Sequence, residues 1–479
     1  MKIIKTIILF FIIQNMAFSQ SVGSYFSTDA RTAALAKAHT VSSRGIYSMW
    51  INPANLSYPE EYSVEFSTVI PLPSFNFSVG NDFLSINDYN YFFTGETNQF
   101  GDIVGKYLNS TEKEKFKSLF DQGTGLASNF STTLFALSIN AGRDLGAIGF
   151  SVNEIVGVHA NLPLDLIDLG LYGNTINKVY DLSETDFRSW YLREYSFSYS
   201  HDFTKYFGDF MKFFSAGFSV KLVHGFAYAG VSRNFTKVTT YEDHSIEVMS
   251  DNVFNMAFSP SFGLQYEFDS LSTKESNIGF FNIPAGKGFG IDLGISFKPD
   301  EVWSFGVSVT DIGKIKWDRE TAEFRASGSF ILDDITEEGL GDSLADAFQG
   351  DGKYIYDGFY TDLPTAVHFG MGFQLDKYLN GHFPGKMLIL ADYHQGFNNQ
   401  PGNSVKPVVS LAVEWAPVSW FPIRTGILFG GRDFFKWGAG FGLNAGTFEF
   451  NLAVSDFQSI VAPNDAKRIG VAMSSRWRF

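Results

Sequence analysis

Apolar and polar residues alternate with a period of two along most of this chain of 479 residues. The clearest run extends from Phe289 to Phe297, where large apolar residues alternate with glycine, aspartate and serine. A period of two predicts a β-strand with one apolar face. The next run, Trp303 to Val309, follows the turn-like segment Lys298-Pro299-Asp300-Glu301, so the two runs predict a hairpin.

Similar runs recur almost to the end of the chain. Each strand of a membrane barrel shows one side chain to lipid and the next to the lumen, which produces this pattern without long apolar blocks. About 16 runs qualify, and we predict an all-β fold, a transmembrane antiparallel β-barrel of about 14 strands. Besides the two runs above, the candidates are Tyr62 to Val69, Phe75 to Phe83, Thr133 to Ile139, Ile148 to Val152, Tyr195 to Tyr199, Phe218 to Leu222, Phe258 to Phe268, Val367 to Phe373, Met387 to Tyr393, Val409 to Trp415, Thr425 to Phe429, Trp437 to Leu443, Phe448 to Val454 and Ile469 to Phe479.

Three insertions are much longer than hairpin turns and are expected on one rim of the barrel. They lie between Leu84 and Ser131, Pro163 and Trp190, and Glu320 and Pro364. In the first, Thr111-Glu112-Lys113-Glu114 has capping-box spacing and predicts a helical loop. The third carries an acidic stretch, Asp333 to Asp346, which is either solvated loop charge or a set of calcium ligands.

Composition narrows the alternatives. Hydrophobic residues make up 45% of the chain and aromatic residues 17%, while mean hydropathy is only -0.02. A soluble β-sandwich or propeller shares the alternation but gives less reason for so many aromatic residues. Cysteine is absent, which excludes disulfides, thiolate metal sites and a cysteine nucleophile. The formal net charge of -15 argues against nucleic acid as a partner.

The first nineteen residues predict export. Lys2 and Lys5 precede the apolar segment Ile7 to Ile13, and Ala17-Phe18-Ser19 forms a cleavage site made mostly of small residues. The apolar segment is shorter than the roughly 20 residues of a spanning helix. We therefore expect residues 1–19 to be a signal peptide cleaved after Ser19, and the mature chain to reach the cell outer membrane.

The last strand ends the chain on an aromatic residue. Trp477 and Phe479 share a face, whereas Arg476 and Arg478 lie on the other. Together with Lys467 and Arg468, these arginines fall at the start and end of the last strand, where cations can meet lipid headgroup phosphates. This ending resembles the C-terminal signature of outer-membrane barrels. The resemblance implies that Trp477 and Phe479 form an assembly signal, with the barrel assembly machinery and outer-membrane lipid as partners.

Residues 20–60 differ from the rest. A small, helix-prone segment, Asp29 to Ala38, leads to Trp50-Ile51-Asn52-Pro53-Ala54 shortly before the first strand. This order resembles the start of the long-chain fatty-acid transporter (FadL-like) barrels and of the related PorV-like barrels of Bacteroidetes. The resemblance implies an N-terminal hatch or plug at residues 20–60 inside a barrel of residues 61–479. Asn52, Pro53 and Ala54 become gating candidates, although Asn-Pro also makes a simple rigid turn.

A second resemblance lies near the middle of the chain. Gly286 to Gly294, followed by Val309 to Trp317, is similar to an uncharacterised family of Bacteroidetes-type outer-membrane proteins, usually grouped with the same barrels. The segment Leu162 to Asn174 resembles that family as well. These matches cover short stretches and concern fold more than function.

No residue pattern indicates an enzyme or a cofactor. Gly286-x-Gly288-x-Gly290 is followed by a strand, whereas a phosphate-binding loop requires a helix there, so these glycines make room for a plug or for curvature. The histidines show no metal-ligand spacing. Asp392 and His394 are separated by one residue and predict a polar pair facing the lumen. We name no catalytic, cofactor-binding or metal-binding residue.

Two functions remain open. The first is FadL-like uptake or passage of a hydrophobic small molecule, which predicts an apolar cavity reaching the rim. The second is a structural barrel, associated with type IX secretion like the PorV-like proteins, that binds a secretion-system protein without transport. A general porin fits less well, because a plug has no place in an open pore.

Overall fold

The computed structural model describes residues 27–97, 100–121, 123–267, 270–273, 276–332, 351–354, 357–431 and 434–479. The predicted signal peptide and the acidic stretch from Asp333 to Asp346 lie outside the described residues. The strands are, in chain order, β1 (Val64–Thr68), β2 (Ser74–Asn81), β3 (Glu96–Thr97), β4 (Ile103–Val104), β5 (Gly125–Asn140), β6 (Ala147–Asn161), β7 (Val179–Asp181), β8 (Asp186–Asp202), β9 (Phe213–Arg233), β10 (Thr236–Thr240), β11 (Ile246–Phe258), β12 (Leu264–Glu267), β13 (Ser270–Thr273), β14 (Gly286–Lys298), β15 (Trp303–Trp317), β16 (Thr321–Leu332), β17 (Asp351–Tyr354), β18 (Phe359–Asp362), β19 (Ala366–Gln374), β20 (Lys386–Gly396), β21 (Val408–Val418), β22 (Phe421–Gly430), β23 (Phe434–Ala445), β24 (Phe448–Val454) and β25 (Arg468–Arg478).

Helical segments are short and lie in the lumen, in the turns or in the long loops. The α-helices are α1 (Ala30–Ala34), α2 (Ile86–Phe93), α3 (Ser110–Ser118), α4 (Leu164–Tyr172), α5 (Leu375–Tyr378) and α6 (Gln458–Val461). The 3-10 helices are Gly45–Ser48, Pro53–Ser57, Thr204–Tyr206, Gly208–Phe210, Pro260–Phe262 and Pro463–Asp465. Within the described ranges, no helix combines the length and the apolar character needed to cross a membrane.

The wall is a closed antiparallel barrel of fourteen strands, which confirms the predicted fold class. Three wall strands are composite: β1 continues as β2, β18 as β19, and β11 as β14, each pair sharing a neighbour. The order around the wall is β1/β2, β5, β6, β8, β9, β11/β14, β15, β18/β19, β20, β21, β22, β23, β24 and β25, which returns to β1/β2. The predicted hairpin of Phe289 to Phe297 with Trp303 to Val309 is β14 paired with β15.

Alternation sets the two faces of the wall. Along β14, Phe289, Leu293 and Ile295 are about half exposed on the outside, whereas Asp292 and Ser296 are buried inside. An apolar outer face suits contact with lipid. Because the barrel is closed, no strand edge leaves its backbone N–H and C=O groups unpaired. Short turns such as residues 141–146 and the chain's C-terminus lie at one rim, and the long loops lie at the other. We call these the short-turn rim and the long-loop rim.

The barrel closes where β25 pairs with β1 and β2. On the outside of this seam, Phe66 stacks with Trp477 and with Phe479, with ring centroids 6.5 Å and 6.0 Å apart. The backbone N–H of Phe479 also donates to Val64 O at 2.8 Å. The two residues of the predicted assembly signal therefore touch the strand that closes the barrel.

Local predictions needed correction in three places. The predicted wall strand Phe258 to Phe268 is interrupted: β11 ends at Phe258, and Pro260, which cannot donate to a ladder, begins a 3-10 turn. Leu264–Glu267 is a strand, but it pairs with β13 in a separate two-stranded sheet, and Phe268 lies outside the described residues. The runs Tyr62 to Val69 and Phe75 to Phe83 belong to one wall strand. The helix in the first long loop exists, but its capping box joins Asn109 and Glu112.

We expect Phe479→Asp to lower the yield of folded, membrane-inserted barrel several-fold. The change removes an aromatic stack, worth roughly 0.5 to 1.5 kcal/mol, and introduces a charge at the outer end of the seam. Heat-modifiable migration of the barrel in the membrane fraction measures the yield. Phe479→Tyr retains the stack and serves as the control. Equal yields for Phe479→Asp and the unaltered chain would contradict the assembly role.

Candidate functional site

Residues 27–58 occupy the part of the lumen nearer the short-turn rim, and we call this described segment the plug. Most of its side chains are buried, and it packs against the inner face of the wall. Helix α1 lies against β23, β24 and β25 through a contact made entirely of small side chains. Those residues are Ala30, Ala33, Ala34, Ala453 and Ala472. Small residues allow the helix backbone to approach the wall closely.

Wall hydroxyls donate hydrogen bonds to plug carbonyls at many points. Ser219 Oγ donates to Met49 O at 3.2 Å, and Ser410 Oγ donates to Ala36 O at 2.7 Å. Because a protein hydrogen bond exchanges with one to water, each contributes only about 1 kcal/mol net. A plug held this way is positioned accurately by contacts that water can replace individually.

The gating candidates Asn52, Pro53 and Ala54 lie at the centre of this interface. Asn52 is fully buried, and its Nδ2 donates to Ile295 O in β14 at 3.1 Å and to Thr40 O at 3.3 Å. Its Oδ1 accepts from Ala54 N at 3.2 Å and so caps the 3-10 helix that Pro53 begins. The predicted rigid turn is therefore present, and its side chain connects two parts of the plug to the wall.

The carbonyl of Ala54 accepts from two wall strands. Ser200 Oγ in β8 donates to it at 2.9 Å, and Ser215 Oγ in β9 donates at 2.8 Å. Gly217 in β9 lies so close that a Cβ there would stand 2.7 Å from Ala54 N. The sequence prediction named these residues as gating candidates, and whether they move stays a prediction.

Glycines on the inner face make room for the plug. A Cβ on Gly294 would stand 2.1 Å from Asn52 Oδ1, and one on Gly438 would stand 2.2 Å from Ala33 O. The glycines quoted in the sequence analysis serve another contact. Gly286 and Gly288 face Trp317 and Ile315 higher in the lumen.

Charged side chains form a ladder across the inner wall from one side of the plug to the other. Arg31 Nε in the plug is 2.7 Å from Glu414 Oε2, which also pairs with Arg424. Arg424 Nη1 donates to Asn451 Oδ1 at 2.7 Å, and Asn451 Nδ2 donates to Glu449 Oε1 at 2.9 Å. The ladder links α1 to three wall strands.

The ladder continues across the closing seam. Arg476 Nη2 lies 2.7 Å from Glu449 Oε2, and Arg476 Nη1 lies 2.9 Å from Glu65 Oε2 in β1. Glu65 then accepts from Ile46 N in the plug at 3.0 Å. The expectation that Arg476 and Arg478 meet lipid phosphates is wrong, since both pair with Glu449 on the inner face.

The predicted polar lumen pair of β20 binds the plug. Asp392 Oδ2 accepts from Thr40 N at 2.7 Å, and His394 Nε2 is 3.1 Å from Lys37 O. Because a carbonyl only accepts, His394 Nε2 carries a proton. This prediction is confirmed, and its partners lie more than three hundred residues away in sequence.

Further imidazoles surround that contact. His368 Nδ1 is 2.7 Å from His394 Nδ1, and Thr310 Oγ1 is 3.0 Å from His368 Nε2. Burial, with Arg31 nearby, holds the pKa of His39 in the plug well below its usual value, so that ring is neutral. Across the described ranges, no group of three or more His, Asp or Glu side chains has an arrangement that could hold a metal ion.

Above the plug, a buried lysine meets three carboxylates. Lys221 Nζ lies 2.7 Å from Asp311 Oδ1, 2.9 Å from Asp292 Oδ2 and 3.6 Å from Glu194 Oε2. Asp292 Oδ1 also accepts from Asp311 N at 2.7 Å, at a bulge where Asp311 has a φ of 57°. This group divides the lumen into a polar lower part and an apolar upper part.

The apolar upper part is a cluster of buried side chains facing inward from the wall. Its members are Trp190, Leu192, Val223, Tyr228, Ala257, Ala285, Ile315, Trp317 and Leu363. Trp317 Nε1 donates to Thr361 Oγ1 at 2.8 Å. Trp190 Nε1 is buried and has no hydrogen-bond partner among the described residues. We call this set the upper lumen cluster.

A small cavity separates the plug from the upper lumen cluster. It is lined by Thr28 and Trp50 of the plug, by the Lys221 group, and by apolar side chains that include Trp190 and Leu363. Its volume is about 30 Å³, which is space for about one water molecule. This cavity is smaller than the predicted apolar cavity reaching the rim, and a larger ligand can occupy it only if the plug or the cluster moves.

We expect Gly294→Ala to destabilise the plug by about 1 to 3 kcal/mol, as overpacking does, because the new methyl group overlaps Asn52. Gly328→Ala is a matched control, since a Cβ there meets nothing within 4 Å. Thermal unfolding, followed by heat-modifiable migration, compares the two. Identical unfolding midpoints for the two variants would contradict the expected overlap between the new methyl group and Asn52.

Removing one partner of a buried ion pair leaves an uncompensated charge, which costs about 3 to 5 kcal/mol. We therefore expect Arg476→Met to lower the unfolding midpoint strongly, and Glu65→Gln combined with it to recover part of the loss. Lys205→Gln, which breaks an exposed pair with Asp144, should change stability by less than about 1 kcal/mol. An Arg476→Met variant as stable as Lys205→Gln would rule out a structural role for the ladder at the seam.

No curated protein matches the chain. Similar solved structures include the toluene transporter TbuX of Ralstonia pickettii, with 11% identity, coverage of 96% of this chain and 99% of that chain, and a TM-score of 0.43. The toluene transporter TodX of Pseudomonas putida has 10% identity, 96% and 100% coverage and a TM-score of 0.45. A FadL homologue of Pseudomonas aeruginosa has 10% identity, 96% and 100% coverage and a TM-score of 0.44.

One family profile covers most of the barrel. It matches residues 61–455 and is described as a family of unknown function, DUF5723. The matched region begins just after the plug and ends after β24. The chain belongs to this DUF5723 family.

Proposed function

We propose that this barrel passes small hydrophobic compounds across the outer membrane and that the plug is its gate. The observation that carries the proposal is the upper lumen cluster. Beside the plug, the inner wall combines glycine, serine and charged residues with single aliphatic side chains such as Leu390 and Leu428, whereas between the plug and the long-loop rim large apolar side chains form one cluster that includes two tryptophans. An apolar surface inside a lumen offers a hydrophobic compound a place to leave water.

The position of the cluster supports the same proposal. A compound that displaced side chains of the cluster would next meet the small cavity, whose floor is Thr28 and Trp50 of the plug. The unpartnered Nε1 of Trp190 lines this space and offers a donor to a polar group of a ligand. The proposed path therefore runs from the long loops through the cluster to the plug.

The plug contacts described above suit a gate. Many of them are single hydrogen bonds from wall hydroxyls to plug carbonyls, each replaceable by a bond to water, and the others are apolar contacts and the ion pairs of the ladder. Asn52, Pro53 and Ala54 form the rigid turn that these bonds hold, and we propose that it moves as a unit. The proposal includes export with removal of the signal peptide, and it involves no enzymatic step.

A disulfide between plug and wall tests the gate. Thr28 Oγ1 in the plug is 2.7 Å from Thr133 Oγ1 in β5, and the chain has no cysteine of its own. We expect the variant Thr28→Cys/Thr133→Cys to lose uptake of labelled oleate and toluene when oxidised and to recover it on reduction. Uptake is measured in cells that carry the barrel in the outer membrane.

The single variant Thr133→Cys, under the same oxidant, is the matched control and should keep its uptake. Uptake by the oxidised double variant equal to that of its reduced form would contradict gating by the plug. Uptake no higher than in cells lacking the barrel, for both probes, would contradict passage itself.

A further inference from the structure

One row of outward-facing side chains near the long-loop rim is unusually basic. Strand pairing aligns it across six neighbouring wall strands, since each residue is the direct partner of the next. Its members are Glu154 in β6, Arg193 in β8, His224 in β9, Lys287 in β14, Lys316 in β15 and Tyr360 in β18. We call it the basic row.

The height of the basic row matches a membrane surface. On β14, Lys287 lies ten residues above Phe297, whose ring stacks with Phe305 near the short-turn rim. At about 3.3 Å per residue this is about 33 Å of strand, and with a tilt of about 40° it corresponds to about 25 Å of height, the height of the apolar band of a membrane barrel. Lys287 therefore stands at the level of the lipid headgroups.

Charge along the row is not balanced by the protein. Arg193 Nε donates to Glu154 Oε1 at 2.7 Å, which neutralises one end. Lys287 and Lys316 are exposed, are direct cross-strand partners, and have no ion pair among the described residues. Like charges directly opposite one another are destabilising. Although the whole chain has a net charge of -15, this patch carries a local excess of positive charge, which favours binding of an anion.

Apolar side chains flank the row. Leu222 and Phe289 are the next outward-facing residues toward the membrane centre on β9 and β14, and they are 48% and 52% exposed. Phe280 and Phe281 are 59% and 87% exposed, and Arg193 Nη1 donates to Phe280 O at 2.6 Å. The surface thus combines cations at headgroup height with apolar contacts beside them, which complements an anion attached to acyl chains.

We propose that the basic row binds the phosphate group of an outer-leaflet lipid. Lys287 and Lys316 contact the phosphate, His224 borders it, and acyl chains lie on Leu222 and Phe289. The site is on the outer wall and does not depend on passage through the lumen, so it stands whether or not the barrel transports a compound.

Native mass spectrometry of the full barrel in detergent, titrated with bis-phosphorylated lipid A, tests the site. A basic side chain near an anionic lipid changes binding by about fivefold. We expect Lys287→Gln/Lys316→Gln to weaken binding of phosphorylated lipid A by about thirtyfold. Dephosphorylated lipid A should bind the unaltered barrel and this variant equally.

The matched control is Lys377→Gln/Lys386→Gln, which removes two exposed lysines near the short-turn rim. It should change binding less than twofold, with heat-modifiable migration confirming that both variants fold. Equal weakening by the two double variants, or equal binding of phosphorylated and dephosphorylated lipid A, would overturn the proposal. Displacement of the lipid by excess inorganic phosphate would also overturn it, because the site would then recognise the ion rather than the lipid.

Discussion

Closure of the wall is the constraint on which the rest of this molecule depends. Lipid offers no hydrogen bonds, so every backbone group of the wall must find a partner in another strand, and β25 must meet a strand about four hundred residues earlier. The seam is accordingly reinforced on both faces. Aromatic rings stack outside it, while Arg476 bridges Glu65 and Glu449 inside. Even the interruption between β1 and β2 is bridged, since Ser67 Oγ and Ser74 Oγ are 3.1 Å apart and Ser74 Oγ donates to Ser475 O at 3.2 Å.

The plug is a second consequence of closure. A barrel of fourteen strands encloses more space than inward side chains fill, and a folded segment approaches the wall most closely where the inward side chains are small. This explains why glycine and serine recur on the inner face beside the plug, as at Gly294 and Ser219. It also explains why the ladder from Arg31 to Glu65 is buried, because its charges pair with one another across the strands and with the plug.

The strands of the wall could be predicted from the sequence, but the distant residues that pair with one another could not. Period-two alternation predicted the fold class, the strand number and the β14–β15 hairpin, because facing lipid or lumen constrains every second residue. The alternation pattern did not predict the break after Phe258, where the chain leaves the wall at a proline turn. The wall strand begun by β11 is continued by β14, which also pairs with β9. The domain boundaries at residues 19 and 60 stay predictions.

Long-range electrostatic partners left no local signal. Arg476 was assigned to lipid because it lies near the end of the last strand, and its partner Glu65, 411 residues away, could not be identified from the sequence. Asp292 was visible as a polar residue in an apolar strand, but nothing nearby in sequence indicated Lys221 or Asp311. A cross-strand neighbour is known only once the register is known, which requires the whole barrel.

The two halves of the lumen respond differently to water, and this bears on how a passage would open. The lower half combines hydrogen bonds that water can replace with the buried ion pairs of the ladder and with apolar contacts of plug residues such as Leu35 and Ile46. The upper half is held by apolar contacts, which water weakens but a hydrophobic compound replaces. The Lys221 group lies between them, and Asp311 is held at its bulge by the hydrogen bond from its N–H to Asp292 Oδ1. On the proposed path, a compound in the upper half would therefore first displace side chains that line the same small cavity as Trp50 of the plug.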